Sequence, residues 1–306
     1  MKDPRIEKVK NLKRGHYADA SPLDDIQYLE CKLILKPDEF TSPKGFQKFG
    51  KLVAVAAKER GIKYDTRKAA GTRPQIREVE FFDTKDFRLY NNAFILRRRV
   101  RYEDGFPIGP PEIVFKFRHP DLQAAADLDV RPNIPGKYRI KFKAEALPLK
   151  DQYGGYRLLF SHNVQFPINE GPGGDNTVLP KLASIFPPLK NIRTFRGKKI
   201  DRVAMVNHTI VEEVLQDLGT LDFGQGVTAD ANVALWRTRG EHKVLVGEFA
   251  FEVKFARRND VHEKARKRVA KYFIRLQQIS QAWIYLGATK TAMVYRLKGN
   301  PPRAHE

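Results

Sequence analysis

Charged and apolar residues alternate along six stretches of this chain, and the charged faces carry both signs. They are Glu30-x-Lys32, the segment headed by Phe81-Phe82-Asp83-Thr84, Arg97-x-Arg99-x-Arg101, Lys116-x-Arg118, Arg139-x-Lys141-x-Lys143-x-Glu145 and Glu248-x-x-x-Glu252-x-Lys254. A strand sends successive side chains to opposite faces, so each stretch builds a charged face backed by an apolar one. Paired into one sheet, the stretches make a basic wall with a few carboxylates set into it. Closed into a barrel, that wall lines a channel.

The charge balance agrees with such a wall. Lys and Arg number 56 against 36 Asp and Glu, a net charge of +20, which favours a polyanionic partner without choosing among them. The apolar content, 42%, is enough for a sizeable core. One cysteine, Cys31, excludes an intrachain disulfide or a cysteine zinc site. With no apolar run long enough to span a bilayer and no apolar leader core, the expectation is a soluble, cytoplasmic protein with no membrane partner.

The pattern predicts a basic arm over 1–25, one tunnel-like domain over 26–298 and a tail over 299–306. Strands are expected at 27–36, 74–83, 93–103, 112–118, 137–147, 155–168, 199–216, 217–223, 229–239 and 243–256. Asp104-Gly105 signals a tight turn between two of them. Ser42-Pro43 predicts a helix start with a capping hydroxyl and proline at the first helical position, followed by the stripe Phe46, Phe49, Val53, Ala56 and Ala57. A second, longer helix is expected from Asn259-Asp260 to Gly287, its apolar stripe against the barrel and its other face Lys and Arg. Residues 169–176 read as a glycine-rich loop.

Cations on several sides suit a run of phosphates, with Arg as a planar fork and Lys as a point charge. Carboxylates fit beside them when a divalent metal bridges carboxylate and phosphate. Each glutamate, taken alone, is equally readable as one half of a surface ion pair. Most aromatic residues fall opposite the charges: Phe115 and Phe117 against Lys116 and Arg118, Phe142 against Lys141 and Lys143, Phe249 and Phe251 against Glu252. That placement indicates core packing and disfavours a nucleic-acid stacking platform. No Walker phosphate loop, zinc helix or nucleophile elbow is present.

Glu30-x-Lys32, Phe81-Phe82-Asp83-Thr84 followed by Leu96-Arg97-Arg98-Arg99, Lys116-Phe117-Arg118, Lys141-x-Lys143-x-Glu145 and Phe251-Glu252-Val253-Lys254 stand in the order seen in CYTH domains, the triphosphate tunnel metalloenzymes, which this chain resembles over about 27–295. The resemblance implies an α+β fold, a closed eight-stranded antiparallel β-barrel with helices packed outside. It implies binding and hydrolysis of a linear triphosphate or polyphosphate with Mg²⁺ or Mn²⁺. Glu30 and Glu252 would be catalytic, and Glu30, Glu145, Glu248 and Glu252 metal ligands. Lys32, Arg97, Arg99, Lys116, Arg118, Lys141, Lys143, Arg202 and Lys254 would line the phosphate path.

The chain departs from the family pattern in two places. Tyr28 stands where the first strand usually has a glutamate, and Leu235-Trp236-Arg237-Thr238-Arg239 lacks the acidic residue many members place late in the strand before the last. Phe251-Glu252-Val253-Lys254 is also similar to the polyphosphate polymerase branch. A non-catalytic polyphosphate or nucleotide binder and a polymerase therefore stand beside the hydrolase. The substrate and the oligomeric state are left open.

Overall fold

The computed structural model describes residues 25–136, 138–167, 177–192, 201–255 and 258–298. The expected arm up to residue 24, the glycine-rich loop at 169–176 and the tail after 298 lie outside the described residues. Eleven strands form one sheet: β1 (Tyr28–Leu35), β2 (Lys63–Asp65), β3 (Gln75–Thr84), β4 (Phe94–Glu103), β5 (Phe106–His119), β6 (Arg139–Pro148), β7 (Tyr156–Pro167), β8 (Val203–Met205), β9 (Val211–Asp222), β10 (Thr228–Thr238) and β11 (Val244–Lys254).

Nine of these close into a ring in the order β9, β10, β11, β1, β6, β7, β5, β4, β3, with β3 pairing back onto β9. The short strands β2 and β8 sit outside, on β9 and β3. Every neighbouring pair in the ring is antiparallel except β1 with β6. The closed barrel is thus as expected, but the eight-stranded, all-antiparallel form is not. A ring of strictly alternating strands needs an even number, so a ring of nine must contain a parallel pair.

The apolar faces point outward, under the helices. Helix α1 (Lys44–Glu59) buries Phe46, Phe49, Val53, Ala56 and Ala57, with the Phe49 ring 5.4 Å from Phe249. The next three helices are short: α2 (Arg88–Asn91), α3 (Leu122–Ala126) and α4 (Leu179–Ile185). Helix α5 (Glu263–Ile279) sets Tyr272 and Phe273 against Phe251 of β11, at 5.5 and 6.2 Å. These contacts form one outer core. A second lies around α3 and α4, where Phe115 stacks on Phe186 at 4.2 Å and Phe142 on His162 at 4.8 Å. Burial of this size on the outside of a barrel leaves its inside free to be polar. No described helix is long and apolar enough to cross a membrane.

Local chemistry shifts several expected boundaries. Helix α1 starts one position later than expected: Pro43 is itself the N-cap, and no side chain caps it. Helix α5 starts at Glu263, where the His262 ring accepts from the Lys264 N–H at 3.1 Å, and it ends at Ile279 rather than Gly287. At that end the Ser280 hydroxyl donates to the Leu276 carbonyl at 2.6 Å, and the chain tightens into a short 3₁₀ turn over Gln281–Trp283. The strand expected over 199–216 is broken because Asn207 and His208 take left-handed conformations, φ 55° and 51°. Beyond that break, β9 runs unbroken through the boundary expected at 216–217. The Asp104-Gly105 turn has positive φ at both residues, as the hairpin between β4 and β5 requires. A last helix, α6 (Lys290–Tyr295), follows α5.

Candidate active site

Register fixes which residues share the lumen. Lys32 and Glu30 on β1, Arg97 and Arg99 on β4, Lys116 and Arg118 on β5, Lys141, Lys143 and Glu145 on β6 and Glu248 on β11 all line one cavity of about 330 Å³. Arg77, Glu213, Trp236 and Lys290 join them. The lining holds nine cations against four carboxylates, so the cavity carries a surplus of positive charge that its own residues do not neutralise.

One charge cluster centres on Glu145, which is fully buried. Lys116 Nζ lies 2.6 Å, Lys32 Nζ 3.2 Å and Arg118 Nη1 3.6 Å from its carboxylate. Burial alone would favour its neutral acid; those three cations outweigh that and hold it well below the ordinary glutamate range. Three cations crowding one carboxylate has a converse. Burial, only partly offset by Glu145 and reinforced by Arg118 and Lys32, lowers Lys116 to about 7.

A second cluster occupies the other end of the lumen. Lys290 Nζ sits 3.1 Å from Glu213 and 2.8 Å from Glu248, and 4.7 Å above the Trp236 ring. The Trp236 indole N–H donates to Glu213 at 2.8 Å. Against the opposing effect of burial, Lys290 and Arg77 keep Glu213 ionised, at about 2. Below this cluster, the lumen-phase residues Ile34, Val79, Phe81, Ile95, Val211, Trp236 and Val246 form a buried apolar cluster with Ala288, Val294 and Tyr295. The Tyr295 ring stacks on Tyr90 at 4.2 Å, and the Asn207 amide donates to the Val294 and Tyr295 carbonyls at 2.8 and 3.1 Å. Helix α6 therefore plugs that end. The tunnel is blind.

Two lumen cations have no ion-pair partner among the described residues. Arg97 makes no contact with a carboxylate, and its buried Nε has no hydrogen bond; burial and then Arg99 lower its guanidinium to about 10. Lys141 lies 5.4 Å from the Tyr28 ring centre, and burial followed by Lys143 lowers it to about 8. The Nε atoms of Arg77 and Arg99 are also buried and unbonded. Buried donors without acceptors are costly. An anion in the lumen would supply the missing acceptors.

The strand register also sets acidic residues in a row: Asp230 opposite Glu252, Glu252 opposite Glu30, and Glu30 opposite Glu145, on β10, β11, β1 and β6. Carboxylates placed directly opposite repel unless a cation intervenes. Lys143 does so, bonding to Glu252 and lying 3.3 Å from Glu30, while Lys32 lies 3.0 Å from Glu30. Burial raises Glu30, but Lys143 and Lys32 win and bring it to about 2. Mg²⁺ and Mn²⁺ need only one or two carboxylates when substrate oxygens and water complete the shell. Glu30 and Glu252 are two such carboxylates, and the Lys143 ammonium bonds to both. Among the described residues no three His, Cys, Asp or Glu side chains converge to hold a metal by themselves.

Not every residue expected at the site lies there. Glu252 sits at the rim, about one-third exposed. Lys254 is exposed opposite Tyr28, one lumen position further out. Arg202 is exposed outside the ring, bridged to Val178 before β8, so it does not line the tunnel. Glu248 is about 13 Å along β11 from Glu252 at the usual strand rise, and Lys290 engages it. Arg77, Glu213 and Trp236 in the lumen and Asp230 at its rim were missed, and Lys290, within the span of the resemblance, was not assigned to the site. Arg77 and Glu213 sit beside Glu78 and Glu212, so charge alone does not single them out, Trp236 and Asp230 stand alone in mainly apolar stretches, and Lys290 comes from a helix, where strand period gives no signal.

No protein-family model and no curated protein matches the chain. Among solved structures the fold is similar to HpAC1 from Hippeastrum, an adenylyl cyclase candidate described with a dominant triphosphatase activity, at 15% identity over 89% of this chain and 95% of that one, TM-score 0.37. It is similar also to a candidate adenylate cyclase from Bacillus halodurans, at 11% identity over 87% and 95%, TM-score 0.38. PH1819 from Pyrococcus horikoshii OT3 follows, at 12% over 81% and 89%, TM-score 0.31. These likenesses are loose, and what the tunnel can do is decided by its own side chains.

Proposed function

We propose that this chain binds a linear triphosphate or short polyphosphate in the tunnel, terminal phosphate first, and hydrolyses the terminal phosphoanhydride with Mg²⁺ or Mn²⁺. The observation that carries this reading is the pair of half-buried lumen cations without an ion-pair partner among the described residues, Arg97 and Lys141, inside a lumen already rich in positive charge. Arg77, Arg97 and Arg99 offer forks to phosphate oxygens from one side, and Lys32, Lys116 and Lys141 offer point charges from the other. Glu145 holds Lys32, Lys116 and Arg118 in place before substrate arrives, so their charge needs little reorganisation as negative charge develops. Glu30 and Glu252 would hold the metal ion, which would supply neutralising positive charge to the phosphates. Lys143, which bonds to both carboxylates, would have to give up that place to the ion.

The plug at α6 bears on the alternatives. A chain elongated by threading through the barrel would need an exit past the Tyr90, Phe81 and Tyr295 rings, which fill that end. One opening suits removal of a terminal phosphate. The non-catalytic binder draws on a different observation: Lys143 already satisfies Glu30 and Glu252 without a metal. Phosphate release from tripolyphosphate, assayed with Mg²⁺, Mn²⁺ or chelator, separates the two. Metal-dependent release, lost in Glu252→Gln, is expected; tight binding without release in any condition would favour the sensor.

A further inference from the structure

Outside the barrel, where β1, β6, β7 and β11 pass under helix α5 and the start of α3, lies a hollow of about 210 Å³ whose wall is almost wholly apolar. It sits on the face opposite the lumen: Leu29 and Cys31 alternate with Glu30 and Lys32, Ala144 and Ala146 with Lys143 and Glu145. Leu29, Leu158 and Phe255 each touch both outer cores, so the hollow marks the seam where the two fail to merge.

Small residues make the space. Cys31, Ala144, Ala146 and Ala270 meet here, whereas elsewhere on the outer face the same contact is filled by rings such as Phe249, Phe251 and Tyr272. The inner part of such a hollow offers contacts to methylene groups and no partner to water. Its floor is uncharged: Cys31 is 2% exposed, and its thiol, pushed up by burial and then by Glu30, stays protonated. The mouth is different. Arg266 is the one charged residue of the lining, it is exposed, and it has no carboxylate partner among the described residues; the exposed Tyr156 stands at the same opening.

From these features we infer that the hollow is a second binding site, for a medium-chain aliphatic carboxylate, with the chain inside and the head on Arg266. Polyphosphates and sugars find nothing to bond to on the floor, and burying their oxygens there would forfeit hydration. A plain hydrocarbon leaves Arg266 unused, and an alkyl cation meets it with repulsion. A carboxylate at the mouth gives the guanidinium the two-pronged acceptor it lacks, while the chain gains by buried area. The inference stands apart from the phosphate-binding reading, because the two sites lie on opposite faces of the same strands.

Calorimetric titration of the full chain with butanoate, hexanoate and octanoate, and with octanol as the uncharged counterpart, tests this. Affinity should rise roughly tenfold for every two methylenes added. Arg266→Ala should weaken octanoate by about threefold or more and leave octanol within about twofold. Ala270→Phe, which sets a ring into the hollow from α5, should lower the affinity for both by about tenfold or more. Affinity that is flat along the series, displacement of octanoate by tripolyphosphate, equal loss of octanoate and octanol in Arg266→Ala, or binding untouched by Ala270→Phe would each overturn the inference. So would an absence of binding at every chain length, with light scattering then showing whether a second copy of the chain covers the hollow. Arg266 is exposed and Ala270 only partly buried, so both variants should fold, and a thermal melt of each verifies it.

Discussion

Glu145 shows how much one residue organises. Removing its charge would take away the carboxylate that Lys116 and Arg118 share and leave Lys32 with Glu30, and breaking a buried ionic cluster in this way typically costs about 3–5 kcal/mol. Glu145→Gln should therefore lower urea-unfolding stability by that order, while Glu30→Gln, at a more accessible position, should cost less. The lysines give a prediction with opposite signs for folding and for binding. Lys116 near 7 and Lys141 near 8 bind fewer protons folded than unfolded up to the ordinary lysine range, so ligand-free stability should rise with pH from about 7 toward 10. Polyanion binding needs those same protons. Affinity for tripolyphosphate should fall over that range, and a melting series beside calorimetry at each pH would expose any failure of the opposition. At this scale the sequence was most legible where charge alternated: Glu30, Lys32, Arg97, Lys116 and Lys143 follow from parity alone. Asp230 was hidden because its partner Glu252 is distant in sequence, and pairing register cannot be read from one strand.

Among the described glycines, the one at the junction of β2 and β9 has the closest backbone neighbour. Gly219 has φ +120°, and a Cβ there would lie 2.3 Å from the Asp65 carbonyl oxygen, a backbone atom that cannot swing aside. Gly219→Ala should destabilise by more than about 1 kcal/mol, seen as a lowered melting temperature; an unchanged melt would mean that β2 is not held against β9. The amphipathic helices were legible from their stripes, since Phe49, Val53, Tyr272 and Phe273 recur at helical period. Their ends were not. His262 as a ring acceptor and Ser280 bonding back to Leu276 are side-chain choices that spacing does not announce. Nor does α6, six residues long, give a periodic signal strong enough to mark it as a plug.

For the whole molecule, the barrel was foreseeable and its strand number was not, because the count depends on whether β3 returns to β9 and β6 lies beside β1. Both pairings join segments far apart in sequence. The charge surplus also acts at this scale. A basic lumen with one open end draws anions inward, so the association rate of tripolyphosphate should drop steeply with added salt while dissociation changes little. Stopped-flow measurements at several ionic strengths would show this, and a salt effect carried mainly by dissociation would contradict it.

The lumen's last lysine arrives from α6, beyond every strand of the ring. During vectorial synthesis Glu213 and Glu248 are both outside the ribosome well before Lys290 can neutralise them, and β1 waits for β11 across most of the polypeptide. A partly made chain thus lacks the ammonium that the finished lumen sets between Glu213 and Glu248. The floor of the lumen is therefore completed only when α6 docks, after every strand of the ring has been made.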